Sequence, residues 1–326
     1  MPVHKGAQSP GAATGKRQAM QSGGNRRSRT AAPGLPNAIM CGRLAWQGVM
    51  AISLAPMSTG LPLLFDAEAA ARAADRARRL KGDRFLEAAA VDGLADRLGA
   101  VTRRFERGLW IGESISPALA GFARAWEIAR FGPGEELLRA PGEYDLAVSV
   151  YSLQVINDLP GALVQIRHAL KPDGLFLAAL LGGGTLGELR DAFAHGEIVT
   201  RGGISPHVSP FVDVRDAGAL LQRAGFALPV TDVERLVVRY GDFFKLVRDL
   251  RAHGFTNVLA QRSRVALRRD TLARVLAHYA ACHGDADGRL RARFETLYLT
   301  GWAPHESQQQ PLIPGSARAR LADALG

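Results

Sequence analysis

The sequence predicts an α/β domain with parallel strands covered by helices, preceded by a disordered basic leader. A nearly continuous apolar run, Tyr144–Leu153, is typical of a parallel strand that is buried on both faces. A helical segment, a turn and a second apolar run at 175–181 follow it. This order predicts a crossover connection between two parallel strands. The first 60 residues, in contrast, are rich in Gly, Ala, Ser, Pro and Arg, and a packed core is not expected there.

The net charge of +10 is concentrated near the amino terminus, where seven basic residues and no acidic residue precede Asp66. Residues 1–60 fit three interpretations: an organellar transit peptide, a basic arm that binds nucleic acid, or an extension from an upstream start codon. We favour the last, because Met57 opens a compact segment. One folded domain is then expected at 61–326, in which 182–283 includes a lid and further helices. No nucleic acid partner is expected, because the folded part is only mildly basic.

Composition also argues against a transmembrane protein and against a zinc-binding protein. No apolar stretch is long and uncharged enough to predict a transmembrane segment. Cys41 and Cys282 have no metal-ligand spacing, so neither a zinc site nor a disulfide framework is expected, and we predict no metal. His168, His278 and His283 fall within helical patterns and are expected to be solvated.

The remaining elements are predicted from apolar spacing and from capping residues. Asp158 is suited to begin a helix, and Gly225 is suited to end one. Apolar residues at three- and four-residue spacing predict helices at 67–80, 85–98, 159–170, 185–193, 214–226, 242–254 and 269–283. Short apolar runs predict strands at 108–112 and 126–128, a strand pair at 227–240 and a short strand from 297.

Several sequence blocks carry a family resemblance, namely SLQVINDLPGAL, LKPDGLF, GGGTLGELR, RGGISPHVSPF, LLQRAGF and GWAPHESQ. In this order and spacing, over about residues 135–317, they resemble the class I methyltransferase-fold proteins of the mitochondrial complex I assembly factor and BioC (malonyl-acyl-carrier-protein O-methyltransferase) branch. The resemblance implies a Rossmann-like class I methyltransferase fold with helical substrate-side insertions. It also implies S-adenosylmethionine (SAM) as cofactor and a protein-bound or acyl-carrier-bound substrate, with a complex I subunit as one candidate. Such a protein would be cytoplasmic in a bacterium and mitochondrial in a eukaryote.

The glycine-rich SAM turn of that family corresponds to WIGESIS, and most of its pattern is changed. Trp110 stands where an acid is expected, and Ser114 and Ser116 replace two glycines. The segment between this turn and the next acidic pair is also short, and Glu127 is a weak candidate for the ribose acid. The resemblance assigns cofactor binding to Gly112, Glu113, Glu135, Glu136, Ser152 and Leu153.

Two residues are the candidate catalytic groups. Gln154 stands in SLQV, where the family has an imidazole, and His207 lies in the loop 200–211 that resembles the lid on the substrate side. Arg190, Arg201 and Arg215 surround this loop and could meet an acidic carrier protein. Two functions follow: a SAM-dependent methyltransferase, or a non-catalytic pseudo-methyltransferase that acts as an assembly or binding module because lost polar contacts weaken SAM binding.

Overall fold

The computed structural model describes residues 63–80 and 82–309, so the predicted leader at 1–60 lies outside the described residues. The helices of this part of the chain are α1 (Ala67–Leu80), α2 (Phe85–Gly99), α3 (Pro117–Ala120), α4 (Leu159–Ala169), α5 (Gly187–Arg201), α6 (Val214–Arg223), α7 (Phe243–Ala252) and α8 (Arg269–His283). Its strands are β1 (Phe105–Ile111), β2 (Ala123–Ala129), β3 (Tyr144–Val150), β4 (Leu170–Leu181), β5 (Ala227–Tyr240) and β6 (Leu290–Trp302).

The six strands form one sheet in the order β2-β1-β3-β4-β6-β5. Strands β1 to β4 pair in parallel, whereas β6 pairs antiparallel with both β4 and β5. The prediction of a Rossmann-like class I methyltransferase fold is confirmed by this mixed α/β architecture. The predicted parallel pairing of the strands at Tyr144 and at 175–181 is confirmed as well.

Helices cover both faces of the parallel part of the sheet. All seven residues of β3 are buried, which explains why its sequence is almost continuously apolar. Helices α4 and α6 contribute to the core on one face, and α2 and α3 contribute to the core on the other. No helix in the described ranges has both the length and the apolarity that crossing a bilayer requires.

A third apolar cluster lies beyond the end of β4. Strand β6 pairs with β4 only from Thr296 onward, and its first half pairs with β5 alone. This two-stranded arm packs with α5, α7 and α8 around buried Phe294, Tyr279 and Leu246. We call α5, α7, α8 and the arm the cap.

Local signals placed most elements correctly, and the strands of the arm are where they failed. Asp158 caps α4 by accepting a hydrogen bond from the Gly161 amide, as predicted. The prediction of a strand pair at 227–240 is wrong, because this segment is one strand whose partner is β6. No turn residue interrupts its second half, so the strand continues. Strand β6 also begins seven residues before the predicted start at 297, since Leu290, Ala292 and Phe294 alternate with exposed residues.

Gly196 permits close packing of α5 on α8. A Cβ at this position would lie 2.6 Å from Val275 Cγ2 and 3.1 Å from the Val275 backbone nitrogen. Backbone atoms cannot rotate away as a side chain can, so the two helices would have to separate. Helix α5 therefore needs a glycine where it faces Val275.

We predict that Gly196→Ala lowers the free energy of unfolding by about 1–3 kcal/mol through overpacking. Denaturant unfolding of the purified protein measures this change. Gly187→Ala is the matched control, because Gly187 begins the same helix and a Cβ there would meet nothing within 4 Å. Equal stability of the two variants would contradict the packing argument.

Candidate functional site

The candidate site lies at the carboxyl ends of β1 and β3. Strands β2 and β3 pair on opposite sides of β1, so the chain changes direction here, and in open α/β sheets such switch points form the ligand crevice. Gly112 follows β1, and its amide donates to Ala129 O at 2.9 Å. A Cβ at Gly112 would lie 3.0 Å from both Ser152 Oγ and Trp110 Nε1. The glycine thus lets the end of β1 approach the turn that follows β3.

The turn after β3 is fastened to β4 and to the end of β3 itself. The Tyr151 amide donates to Ala179 O at 2.8 Å, and Ser152 Oγ donates to Val150 O at 3.2 Å. Leu153 is buried in the core. Gln154 Oε1 accepts a hydrogen bond from the Leu181 amide at 3.0 Å, at the end of β4. The structure therefore places Ser152 beside Gly112 and gives the Gln154 carbonyl a contact with the backbone.

Glu113 bridges three elements through ion pairs. Its carboxylate lies 2.9 Å from Arg78 Nη1 of α1 and 2.9 Å from Arg130 Nη1, which directly follows β2. The carboxylate that the sequence assigned to the cofactor is thus shared by two guanidinium groups. Both arginines are partly exposed, so the contribution of these pairs to stability is small.

Glu135 and Glu136 also make contacts within the protein. The Glu135 carboxylate accepts from the backbone amide and the side-chain amide of Asn157 at 2.7 and 2.9 Å, and from the Asp158 amide at 2.7 Å. Glu136 Oε1 lies against Gly132, whose amide donates to Glu136 O at 2.9 Å. The Glu135 carboxylate therefore joins the β2–β3 connection to the turn between β3 and α4. Glu136 closes a turn within the β2–β3 connection through its backbone carbonyl.

Glu127 does not lie at the carboxyl edge of the sheet. It pairs with Leu109 within the β1–β2 ladder, two positions before the end of β2. Its carboxylate accepts from the Tyr144 hydroxyl at 2.6 Å and pairs with Arg139 Nε at 3.0 Å. Burial and this hydrogen bond raise the pKa of Tyr144, so the tyrosine remains the donor. Glu127 is therefore poorly placed to bind ribose hydroxyls, because it lies before the end of β2 and already contacts Tyr144 and Arg139.

Most of the acids present are not free to bind the polar part of SAM. Its ribose hydroxyls and adenine amine need free acceptors, whereas Glu113, Glu127 and Glu135 already accept from protein donors. A ligand that displaced the Asn157 and Asp158 donors from Glu135 would have to offset three hydrogen bonds. The Glu113 carboxylate is 41% exposed, so its ion pairs oppose a ligand only weakly. One feature remains open to a ligand: among the described residues, the buried Trp110 Nε1 has no hydrogen-bond partner.

The predicted lid is held by a buried carboxylate that sequence reasoning missed. The Glu197 side chain of α5 is fully buried and contacts Ser205, His207 and Arg201, and we call these four residues the Glu197 cluster. His207 Nε2 lies 3.0 Å from Glu197 Oε1, and its ring stacks on Phe193 at 4.0 Å. Burial would raise the pKa of Glu197, but hydrogen bonds from Ser205 and His207 outweigh it and hold the pKa below its usual value.

The far end of the lid returns to the sheet, where the Gly183 amide donates to Val212 O at 3.1 Å. The lid thus lies on the side of the sheet where β4 ends, and His207 makes its hydrogen bonds with Glu197 and Ser205. The sequence signal for this contact was the glutamate on the helix that precedes the lid. Such a side chain can accept hydrogen bonds from the serine and the histidine of the loop.

The arginines around the lid differ in their partners. Arg201 pairs with Glu197 at 3.0 Å, and Arg190 donates to Ser209 O at 3.4 Å. Burial lowers the pKa of Arg190. Arg215 is exposed on α6. The basic surface available to an acidic carrier is therefore smaller than the sequence indicated.

Tyr151 joins the switch point to the cap, and it was also missed. Its backbone has φ 50°, its hydroxyl lies 2.6 Å from Thr296 Oγ1, and its ring meets Phe255 edge-on at 5.3 Å. Burial raises its pKa to about 12, so the phenol stays protonated near neutrality.

The chain is similar in sequence to two groups of known proteins. It is 43% identical over 180 residues to the zebrafish arginine-hydroxylase NDUFAF5, mitochondrial, covering 55% of this chain and 56% of that protein. The human arginine-hydroxylase NDUFAF5 is 44% identical over 180 residues, covering 55% of this chain and 52% of that protein. The malonyl-[acyl-carrier protein] O-methyltransferase of Laribacter hongkongensis is 39% identical over 181 residues, covering 56% and 58%.

The resemblance found in the sequence is confirmed by these relatives, and the chain spans about half the length of the curated relatives that it matches. No family model matches the chain. Among solved structures, the YcgJ protein from Bacillus subtilis has a TM-score of 0.44 and 13% identity, covering 65% of this chain and 98% of that one.

The lowered pKa of Glu197 predicts a pH dependence of the lid. A lowered pKa means that the ionised cluster stabilises the folded lid above the ordinary glutamate pKa of 4.5 and that this stability is lost as the pH falls through the lowered value. The Ser205 amide donates to Glu197, so its proton NMR shift should titrate with a midpoint below 4.5. Glu197→Gln should abolish this titration, and a midpoint at or above 4.5 in the unmodified protein would contradict the assignment.

Proposed function

Because this chain is related in sequence to the NDUFAF5 arginine hydroxylases and to the malonyl-acyl-carrier-protein O-methyltransferases, we propose that it is a methyltransferase-fold assembly or binding protein. It engages a protein-bound or carrier-bound substrate, and a subunit of respiratory complex I is the favoured partner. One observation carries the proposal: the carboxylates at the cofactor edge are bonded to groups of the protein itself. The non-catalytic function is therefore favoured over methyl transfer.

The substrate side supports the same proposal. The Glu197 cluster fixes a lid whose tip carries Ile204, 51% exposed, beside the glycines at 202 and 203. An ordered loop with an exposed apolar side chain suits a polypeptide partner, because little additional ordering is needed on binding. In this proposal His207 orients the lid through Glu197 and is not a proton donor to a substrate.

A second candidate is a SAM-dependent methyltransferase, and Trp110 is the observation that favours it. Its buried indole N–H lies next to Gly112 and needs an acceptor, which a ligand in the crevice would provide. When bound, SAM supplies an already activated methyl group, so the protein has only to align the acceptor and exclude water. In that case Gly112, Ser152, Leu153 and Gln154 would form the wall beside the cofactor, with Glu136 nearby. Glu113 and Glu135 would have to exchange their present partners.

Calorimetric titration with SAM and S-adenosylhomocysteine separates the two candidates. We expect no binding heat at millimolar ligand, because Glu113 and Glu135 are engaged by groups of the protein. Dissociation constants in the micromolar range, worth about 8 kcal/mol, would establish the methyltransferase candidate and overturn the non-catalytic one. ATP serves as the ligand control, because it shares adenine and ribose but lacks the methionine part.

The lid surface is tested by expressing variants in cells that lack this gene and measuring how much complex I they assemble. Ile204→Asp should reduce assembled complex I on native gels at least about fivefold, since a charge at a buried contact costs roughly 1–3 kcal/mol. Val237→Asp is the matched control: Val237 is also 51% exposed but lies on β5, away from the lid. Full restoration by Ile204→Asp, or equal failure of both variants, would contradict a lid-centred interface.

A further inference from the structure

Helices α5 and α8 pack antiparallel and are joined at both ends. Thr200 Oγ1 lies 2.8 Å from Thr271 Oγ1 at one end, and Gly196 approaches Val275 in the middle. At the other end, Asp191 of α5 meets the last turn of α8. From one end to the other, the contacting residue numbers fall along α5 and rise along α8, which shows that the helices are antiparallel.

Three metal-ligand side chains converge at that second end. His278 Nε2 lies 2.9 Å and His283 Nε2 2.8 Å from the same atom, Asp191 Oδ2. The three ligand atoms all lie within 4.8 Å of one another. We call Asp191, His278 and His283 the histidine–aspartate cluster. The prediction that His278 and His283 are solvated is wrong, because their side chains are only 14% and 22% exposed.

The surroundings orient His278 as they would orient a metal ligand. Its ring stacks on His195 at 4.1 Å, and its Nδ1 lies 3.9 Å from Cys282 Sγ. A metal-bound imidazole donates its other ring N–H to a neighbouring acceptor, which fixes the ring and its tautomer. In the structure His278 Nε2–H donates to Asp191 Oδ2. A bound ion would take the place of this proton, and the remaining ring N–H would be on Nδ1, which faces Cys282.

We propose that the histidine–aspartate cluster binds one divalent transition-metal ion of the Zn²⁺ type. Two imidazoles and one carboxylate suit Zn²⁺, with bonds of about 2.0–2.2 Å and neighbouring ligand atoms roughly 3–3.5 Å apart. The present separations need only small side-chain movements to reach this geometry. Asp191 is 52% exposed, so an ion can reach the cluster from solvent and water can complete its coordination.

A bound ion would fasten α5 to α8 at the end opposite the Thr200–Thr271 contact. Helix α5 also carries Glu197, so the ion would stabilise the cap that holds the lid. This effect follows from mass action, because an ion that binds the folded state alone raises its stability with the logarithm of the free-ion concentration relative to the dissociation constant. The metal site does not depend on the proposed function, and either can fail without the other.

The test is a calorimetric titration of the full chain with Zn²⁺ after treatment with a chelator, followed by Co²⁺ absorption spectroscopy. We expect one equivalent of Zn²⁺ to bind, visible Co²⁺ bands typical of mixed nitrogen and oxygen ligands, and a raised melting temperature with Zn²⁺. His278→Ala, His283→Ala and Asp191→Asn should each weaken binding more than about 100-fold, since even outer partners of a ligand account for about 10–100-fold.

His168→Ala is the matched control, because His168 is an exposed helical histidine outside the cluster. It should bind Zn²⁺ as the unmodified protein does. Circular dichroism of each variant verifies that the fold is kept, and Asp191→Asn preserves the size of the side chain if a histidine variant fails to fold. Absence of Zn²⁺ binding in the unmodified protein, or unchanged binding in Asp191→Asn and His283→Ala, would overturn the proposal.

Discussion

The burial of β3 on both faces is the constraint on which the rest of the structure depends. A fully buried strand has to satisfy its backbone groups with neighbouring strands and its side chains with helices on each side. Strands β1 and β4 pair with the backbone of β3, and α2, α4 and α6 pack against its side chains. Only the carboxyl end of β3 is left for polar chemistry, and the turn at Tyr151–Gln154 is anchored there to β4.

At this carboxyl edge, the role of each acidic side chain depends on the protein donors that it contacts. Glu135 accepts three hydrogen bonds from two residues of one turn, and Glu113 faces two guanidinium groups. Each such contact reduces the free energy that a ligand would gain, because the ligand must replace a bond already made. The fold is thus retained, while Glu113 and Glu135 at this edge are held by contacts within the protein. The lid differs, since the buried Glu197 uses its hydrogen bonds to order a loop on the substrate side.

Much of the fold could be predicted because its signals are local. The apolar run at Tyr144, the cap at Asp158 and the helix end near Gly225 each depend on residues within one turn or one strand. The strand at 227–240 was misread because a strand pattern does not identify its partner, which here lies some 50 residues later. His278 and His283 were misread for a similar reason: a helical pattern does not report which residue of another helix faces them.

The sequence by itself determined the fold class, the order of most elements and the relationship to methyltransferase-fold proteins. It also located the altered turn at Trp110 and Gly112, because a changed motif is visible without coordinates. Only the tertiary structure decided what the acids and histidines contact. Glu135 meets Asn157 across 22 positions, and Asp191 meets His283 across 92. Spacing rules act over a few residues, whereas partners at such separations are set by how the packed elements bring distant side chains together.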